Sequence, residues 1–447
     1  MAIVPKIFST LGNSQSLVPL AVKDSANCVG MTAASSITSK EEGRDRFIDE
    51  VGTEFIWIGG IPTFKKVIDK TLFKAAGYEA KYDVRNLQNK DIFEKTKEYA
   101  PTEKIKQQIL KIEKNSKTFK GLNMAKFVLA TAMTLGTYNI LTDVKQKYTH
   151  NRVKTKILKA EEEKSRNLMA AASKSVSNNK KDFNFTNISK VRTDNKSPNF
   201  KGGFDVMLDP VKNTLVLDGG ITSERLAKSR SPQEFVGYAI KEGGFLFFMY
   251  YLGQKIQNVL ENSADKKHNK NIGLDARVLE DDNFKNSFAD KSIEKSLNEF
   301  DKIKDKSDAE IYEYLHKNPE NKVVEVAKQS DIISTYKEPN KWYEIFKEKK
   351  DTGKIDTRKY INIEDVKNTH SNMSKLYNQF NESGQTVDEF FKGVRKLKRG
   401  SVMKNIGSTI FALGVVLPSI MLADRLLKPD NKEFAVEKAI KSQLGIA

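Results

Sequence analysis

The chain has 447 residues, enough for roughly two or three average domains and a sizeable core. Its 38% hydrophobic content and negative mean hydropathy exclude a polytopic carrier made almost wholly of spans, so apolar segments must be few and separated by polar regions. The formal charge is +18, and residues 144–201 hold fifteen Lys or Arg against five Asp or Glu, so more than half of the excess sits in one connecting segment.

The first twenty residues carry Lys6 and apolar residues broken by Pro5, Gly12 and Pro19. This is too interrupted for a signal-peptide core, and the N-terminus reads as retained. Two stretches then match in order. Val22-Lys23-Asp24, Ile37-Thr38-Ser39, Arg46, Phe47 and Glu54 recur as Val211-Lys212-Asn213, Ile221-Thr222-Ser223, Arg230, Phe235 and Glu242. In both copies the Glu stands seven residues after the Phe, two helical turns along one face, and an apolar run follows. Lys81-Tyr82 and Lys359-Tyr360 then open polar stretches that lead to second apolar runs containing Leu135-Gly136 and Leu413-Gly414. The order of these matches points to a tandem duplication.

Within each half, short apolar segments around turn formers predict a β-hairpin. The clearer case is Val206 to Leu208 and Thr214 to Leu217, split by Asp209-Pro210-Val211-Lys212-Asn213. The Ile-Thr-Ser triplets supply N-cap hydroxyls, and Glu42 completes a capping box with Ser39. Cys28 aligns with Leu217 and reads as a small buried apolar side chain rather than a nucleophile. As the lone cysteine it makes no intrachain disulfide, and His150, His268, His316 and His370 lack ligand spacing, so no metal site or cofactor is expected.

Between the copies, Arg152 to Ala172 has helical composition, and Ser173 to Gly203 is a polar linker rich in Asn, Ser and Lys. The clustered cations suit anionic lipid headgroups or nucleic acid, with a solvated tether as the plainer reading. A charged insertion at 263–357 reads as an amphipathic helical bundle: Ile293, Leu297 and Phe300 share a face, Ser307 with Glu310 caps a helix stopped by Pro319, and Thr386 with Glu389 caps another beyond it.

Span length divides the four apolar runs. Residues 405–423 lie between Lys404 and Asp424, roughly 30 Å of helix, and fit a membrane span. Residues 127–142 cover about 25 Å and are marginal. Only about 16 Å separates Glu54 from Lys65, and about 20 Å separates Glu242 from Lys255, so these two read as interfacial, half-inserted or core helices. Lys392, Arg395, Lys396, Lys398, Arg399 and Lys404 precede the last run with no acid between Lys392 and Lys404, a basic flank suited to an anionic membrane surface on the cytoplasmic side.

No phosphate-binding loop, zinc-protease, nucleophile-elbow or paired-cysteine motif is present, so no enzyme is expected. Basic and aromatic residues around Lys341, Trp342, Tyr343 and Phe346 have amphipathic-helix spacing, which does not favour nucleic acid. Glu54 and Glu242, matched at the mouths of matched apolar segments, are candidate ion-path residues, with an interface carboxylate as the plainer reading.

The expectation is therefore a mainly α fold of tandem halves, each a short hairpin plus two apolar helices, with a charged helical insertion in the second. The boundaries are a first half at 1–143, a basic linker at 144–202, the second half at 203–262 and 358–428 around the insertion at 263–357, and a tail at 429–447. Functionally it reads as a non-enzymatic, membrane-associated structural or interaction protein with an unidentified protein partner. The alternatives are a duplicated transporter or channel and a cytoplasmic all-helical binding protein. High Lys and Asn with few Pro points to a bacterial source, and hence the inner membrane.

Overall fold

The computed structural model describes residues 10–12, 17–171, 208–338, 349–427 and 434–446. The chain is mainly helical, with one small sheet among these residues. The first half contributes α1 (Val18–Thr38), α2 (Lys40–Ile68, running on through a π-helical turn at Asp69–Phe73), α3 (Lys90–Glu98), α4 (Glu103–Lys114) and α5 (Ser116–Ala171). The second contributes α6 (Pro210–Ala227) and α7 (Pro232–Leu246), which continues through a π segment at Phe247–Leu252 to Gly253–His268. Next come five short helices: α8 (Ala276–Glu280), α9 (Asp282–Ala289), α10 (Ser292–Asp301), α11 (Asp308–Lys317) and α12 (Lys322–Gln329). After β1 (Thr335–Lys337) and β2 (Asp351–Ile355) stand α13 (Ile363–Ser383), α14 (Val387–Phe411, continuing through Ala412–Val416 to Leu427) and α15 (Ala435–Gln443).

The expected hairpins at the start of each half are replaced by helices. Thr214 to Leu217 lie inside α6, Val22 to Cys28 lie inside α1, and Val206 and Met207 fall outside the described residues. The turn formers serve as a cap: Asp209 accepts the Lys212 N–H at 3.0 Å, and Pro210 opens the helix, where its missing N–H costs nothing. The strands instead stand in the insertion, which was expected to be all helical, as an antiparallel pair with Thr335 opposite Ile355.

Local capping signals fare better. Ser39 caps α2 by accepting from the Glu42 N–H, but the Glu42 carboxylate turns to Thr38 and Arg425, so the box is not reciprocal. The matching Thr222 and Ser223 lie within α6 instead of capping a helix, and Ser231 caps α7 by accepting from the Glu234 N–H at 3.1 Å. Ser307 with Glu310 and Thr386 with Glu389 form complete capping boxes. Ile293, Leu297 and Phe300 are buried in a core that α8 to α14 build together, with Phe390 and Phe391 at its centre.

Six helices close into a ring. In order around it, α1 packs on α2, α2 on α5, α5 on α6, α6 on α7, α7 on α14, and α14 back on α1. Helices α5 and α6 run side by side in the same sense: Leu122 and Leu208 pack on one cluster, Gly220 faces Leu135, and Lys228 pairs with Asp143 at 2.7 Å. The ring therefore takes each half in the same orientation. Helix α15 docks on the far part of α5 through Val436, Ile440, Val153 and Ile157.

Candidate functional site

The ring interior is charged. Ordinary soluble helices turn such residues to water, but here they converge from α2, α5, α6 and α7. Along α2, Asp45, Arg46, Asp49 and Glu50 are all buried, because turn-and-turn-again spacing puts them on the inward face. Lys145 of α5 reaches Asp49 at 3.2 Å, and Thr149 donates to Asp45 at 2.6 Å. From α6, Arg225 pairs with Asp49 at 3.2 Å, donates to the Tyr138 hydroxyl at 2.7 Å and to Thr53 at 2.9 Å, and pairs with Glu242. Arg230 bridges Asp45 at 2.9 Å and Glu234, and the Arg46 guanidinium lies 5.0 Å from the Tyr238 ring centre. Lys241 stands between Glu50 at 2.6 Å and Glu242 at 2.9 Å.

This cluster is closed on itself: each buried cation has a carboxylate neighbour, which is what desolvated charges require. The arginine and lysine beside Glu242 outweigh burial and hold its carboxyl at about 2. Two carboxylates differ. Neither Asp24 of α1 nor Asp218 of α6 has a lysine or arginine within ion-pair distance among the described residues, and Asp218 accepts from the Tyr250 hydroxyl in the π segment of α7. Burial pushes Asp24 up to about 7 and Asp218 up to about 8, with the neighbouring carboxylates adding to it. Cys28, one turn from Asp24, is buried, and burial with the nearby Glu50 carboxylate raises its thiol to about 12, which removes it as a nucleophile at neutral pH.

The matched pair from the sequence is split. Glu242 lies at the heart of the cluster, whereas Glu54 is half-buried and accepts from Ser25 at 2.5 Å. Neither marks a helix end, since α2 and α7 run straight through both. Sequence reasoning did not single out Asp49, Lys145 or Arg225. Their signal was charge inside a helix of otherwise apolar outward face.

That outward face is the second feature. Every exposed large apolar side chain of the described residues lies on the six ring helices except Leu110, and none lies between Val259 and Met403. Val29 of α1, Phe55 of α2 and Ile140 of α5 are 70%, 77% and 66% exposed. Leu215, Phe247 and Phe411 continue the belt on the other three helices. Among the described residues one helix, α14 with its continuation to Leu427, is long and apolar enough to cross a membrane.

The basic flank of that helix divides in two. Arg395 binds Asp282 and the Leu279 carbonyl, Lys398 pairs with Glu261 at 3.1 Å, and Arg399 pairs with Glu280 at 2.5 Å, so each is tied to a neighbouring element. Lys392, Lys396 and Lys404 are exposed on one ridge. The basic linker does not begin at 144: residues 144–171 continue α5, and only 172–202 of it, with the patch from Lys341 to Phe346, lie outside the described residues. Among the described residues no cluster of His, Cys, Asp and Glu is arranged to hold a metal. Comparison of the chain with models of known families, with curated proteins and with solved structures finds no match.

Proposed function

We propose that this chain is a membrane-associated interaction protein, built from two tandem three-helix halves, whose apolar belt is its working surface and whose interior charges hold the ring together. The confinement of exposed apolar side chains to the ring carries this reading. Large contiguous apolar surface on a soluble monomer is a contact surface. The described part of the insertion lacks such residues. Lipid is favoured over a protein partner because on α14 the belt residues Phe411 and Val415 succeed exposed Lys392, Lys396 and Lys404, the order in which a helix meets acyl chains and then headgroups. The duplication is supported by the repeated order of a shorter helix, a long helix, an inserted segment and another long helix, with both copies oriented alike.

A transporter or channel is disfavoured by connectivity. Helices α5 and α6 run in the same sense, so two three-span halves inserted alike would need a further apolar crossing within residues 172–207. Their sequence has no apolar stretch of span length, and a polar backbone does not cross hydrocarbon. The halves therefore do not each insert three spans, and the closed ion pairs serve structure rather than passage.

Washing isolated membranes with alkaline carbonate and then detergent tests the association. Release by detergent alone is expected; a protein wholly in the soluble fraction sinks it. Flux in reconstituted vesicles tests the rival: a proton or cation flux abolished by Glu54→Gln with Glu242→Gln would restore the carrier reading.

A further inference from the structure

We infer that the groove between the end of α7 and the start of α14 is a binding site for the headgroup of an anionic phospholipid; this rests on the membrane-associated reading and names one lipid class for it. The groove is a cavity of about 580 Å³. Its cations are Lys270, Lys396 and Lys404, with His268 beside them, and no carboxylate lines it.

The sequence explains why these cations stay available. Arg395, Lys398 and Arg399 lie on the other ridges of α14 and are consumed by Asp282, Glu261 and Glu280. Lys396 and Lys404 stand eight residues apart with Gly400 midway, so all three share the i+4 ridge. A Cβ at Gly400 would meet no atom within 4 Å, so the glycine leaves open floor between two ammonium groups. Lys270 is held in place by the Gln385 side-chain oxygen at 3.3 Å and lies 4.8 Å from the Phe390 ring centre.

The surroundings fit a phospholipid rather than a free anion. Leu260 and Leu397 give the groove apolar walls, and Ser263 and Ser401 offer hydroxyls suited to a polyol headgroup. Beyond Lys404 the same helix presents Phe411 and Val415 to the outside, where acyl chains would continue. Lysine ammonium groups bind phosphate as point charges and need no bidentate geometry.

The test uses the full chain purified in an uncharged detergent, titrated calorimetrically with dioctanoyl phosphatidylglycerol, dioctanoyl phosphatidylcholine and glycerol 3-phosphate. The exposed Lys396 and Lys404, each contributing roughly fivefold near an anionic headgroup, predict a preference for phosphatidylglycerol over phosphatidylcholine of about twenty-five-fold. Lys396→Ser with Lys404→Ser should abolish that preference. Gly400→Leu, which fills the groove without a clash at Cβ, should weaken phosphatidylglycerol binding while leaving all charges in place. Equal binding of the two lipids, or a preference that survives both variants, overturns the site. Glycerol 3-phosphate binding as tight as phosphatidylglycerol overturns the lipid assignment in favour of a free-phosphate site. These outcomes are independent of the carbonate wash, so the groove and the membrane association can fail separately.

Discussion

Lys241 of α7 reaches across the ring to Glu50 of α2 at 2.6 Å, and so ties the second half of the chain to the first from within. The same ammonium lies 2.9 Å from Glu242, and it is almost fully buried. A charge so placed is costly to desolvate, and its removal leaves Glu50 and Glu242 buried with one cation fewer, facing each other beside Arg225 and Arg46. Lys241→Met should therefore destabilise the protein by about 3–5 kcal/mol. Adding Glu50→Gln should recover part of the loss, because the pair acts as a unit. Denaturant unfolding of the four members of this cycle measures both, and a single-variant cost below about 1 kcal/mol would mean that the interior charges do not hold the ring.

Asp218 makes stability fall toward alkaline pH. A free aspartate titrates near 3.9, whereas burial, reinforced by Asp24 and Glu242 and opposed by Tyr250 and Arg225, raises Asp218 to about 8. Between those values the folded chain keeps a proton that the unfolded chain has lost. Its contribution is complete below about pH 4 and is lost as pH rises through 8. Asp218→Asn, which keeps a partner for the Tyr250 hydroxyl, should raise the melting temperature far more at pH 8 than at pH 4. An equal shift at both pH values would place the ionised carboxylate in the native ring.

Much of the helical plan was legible because its signals are local. Ser39, Ser307 and Thr386 cap helices by reaching three residues ahead, a distance that sequence displays directly. The hairpin at Asp209-Pro210 was misread because the same residue types open turns and cap helices, and only the eighteen-residue helix beyond them decides between the two. The interior cluster was hidden for a different reason. Glu242 finds Lys241 next door, but its other partner, Arg225, is on another helix, and Glu50 and Asp49 lie in the other half. Charges at Arg46, Asp49 and Glu50 also lower the apparent hydropathy of α2, so a helix with an apolar outer face reads as solvated.

His316 acts in the opposite pH direction from Asp218. Its ring is partly buried, with ring centres 4.7 Å from Tyr99 and 4.8 Å from Tyr312, and burial, with Lys328 adding, lowers it to about 4. A free histidine titrates near 6.5, so from there down to about 4 the unfolded chain gains a proton that the folded chain refuses. Stability drains over that window, by up to about 3 kcal/mol. His316→Phe should flatten the acid limb of the melting-temperature profile between pH 6.5 and 4.5, and a parallel profile would place the proton loss elsewhere.

The seam that closes the ring joins α1 to α14, the first helix of one half to the last of the other, and it depends on backbone contact. A Cβ at Gly30 would stand 2.3 Å from the Gly414 carbonyl oxygen and 2.8 Å from Pro418 Cγ, and one at Gly414 would stand 3.1 Å from the Ala26 carbonyl oxygen. The obstacle at Gly30 is mainly backbone, which cannot rotate away as a side chain can. Gly30→Ala should cost about 2 kcal/mol, the range for overpacking, even though alanine is the better helix former. Gly59 and Gly136 supply the control: a Cβ meets no atom within 4 Å at either, so alanine there should gain up to about 1 kcal/mol. Because Cys28 is buried two residues before Gly30, opening of this seam should also expose its thiol. Faster maleimide labelling of Gly30→Ala than of Gly59→Ala, under conditions where both remain folded by circular dichroism, is the expected result. Equal labelling with equal stability would mean that α1 and α14 do not meet at these glycines, and the ring would be open on that side.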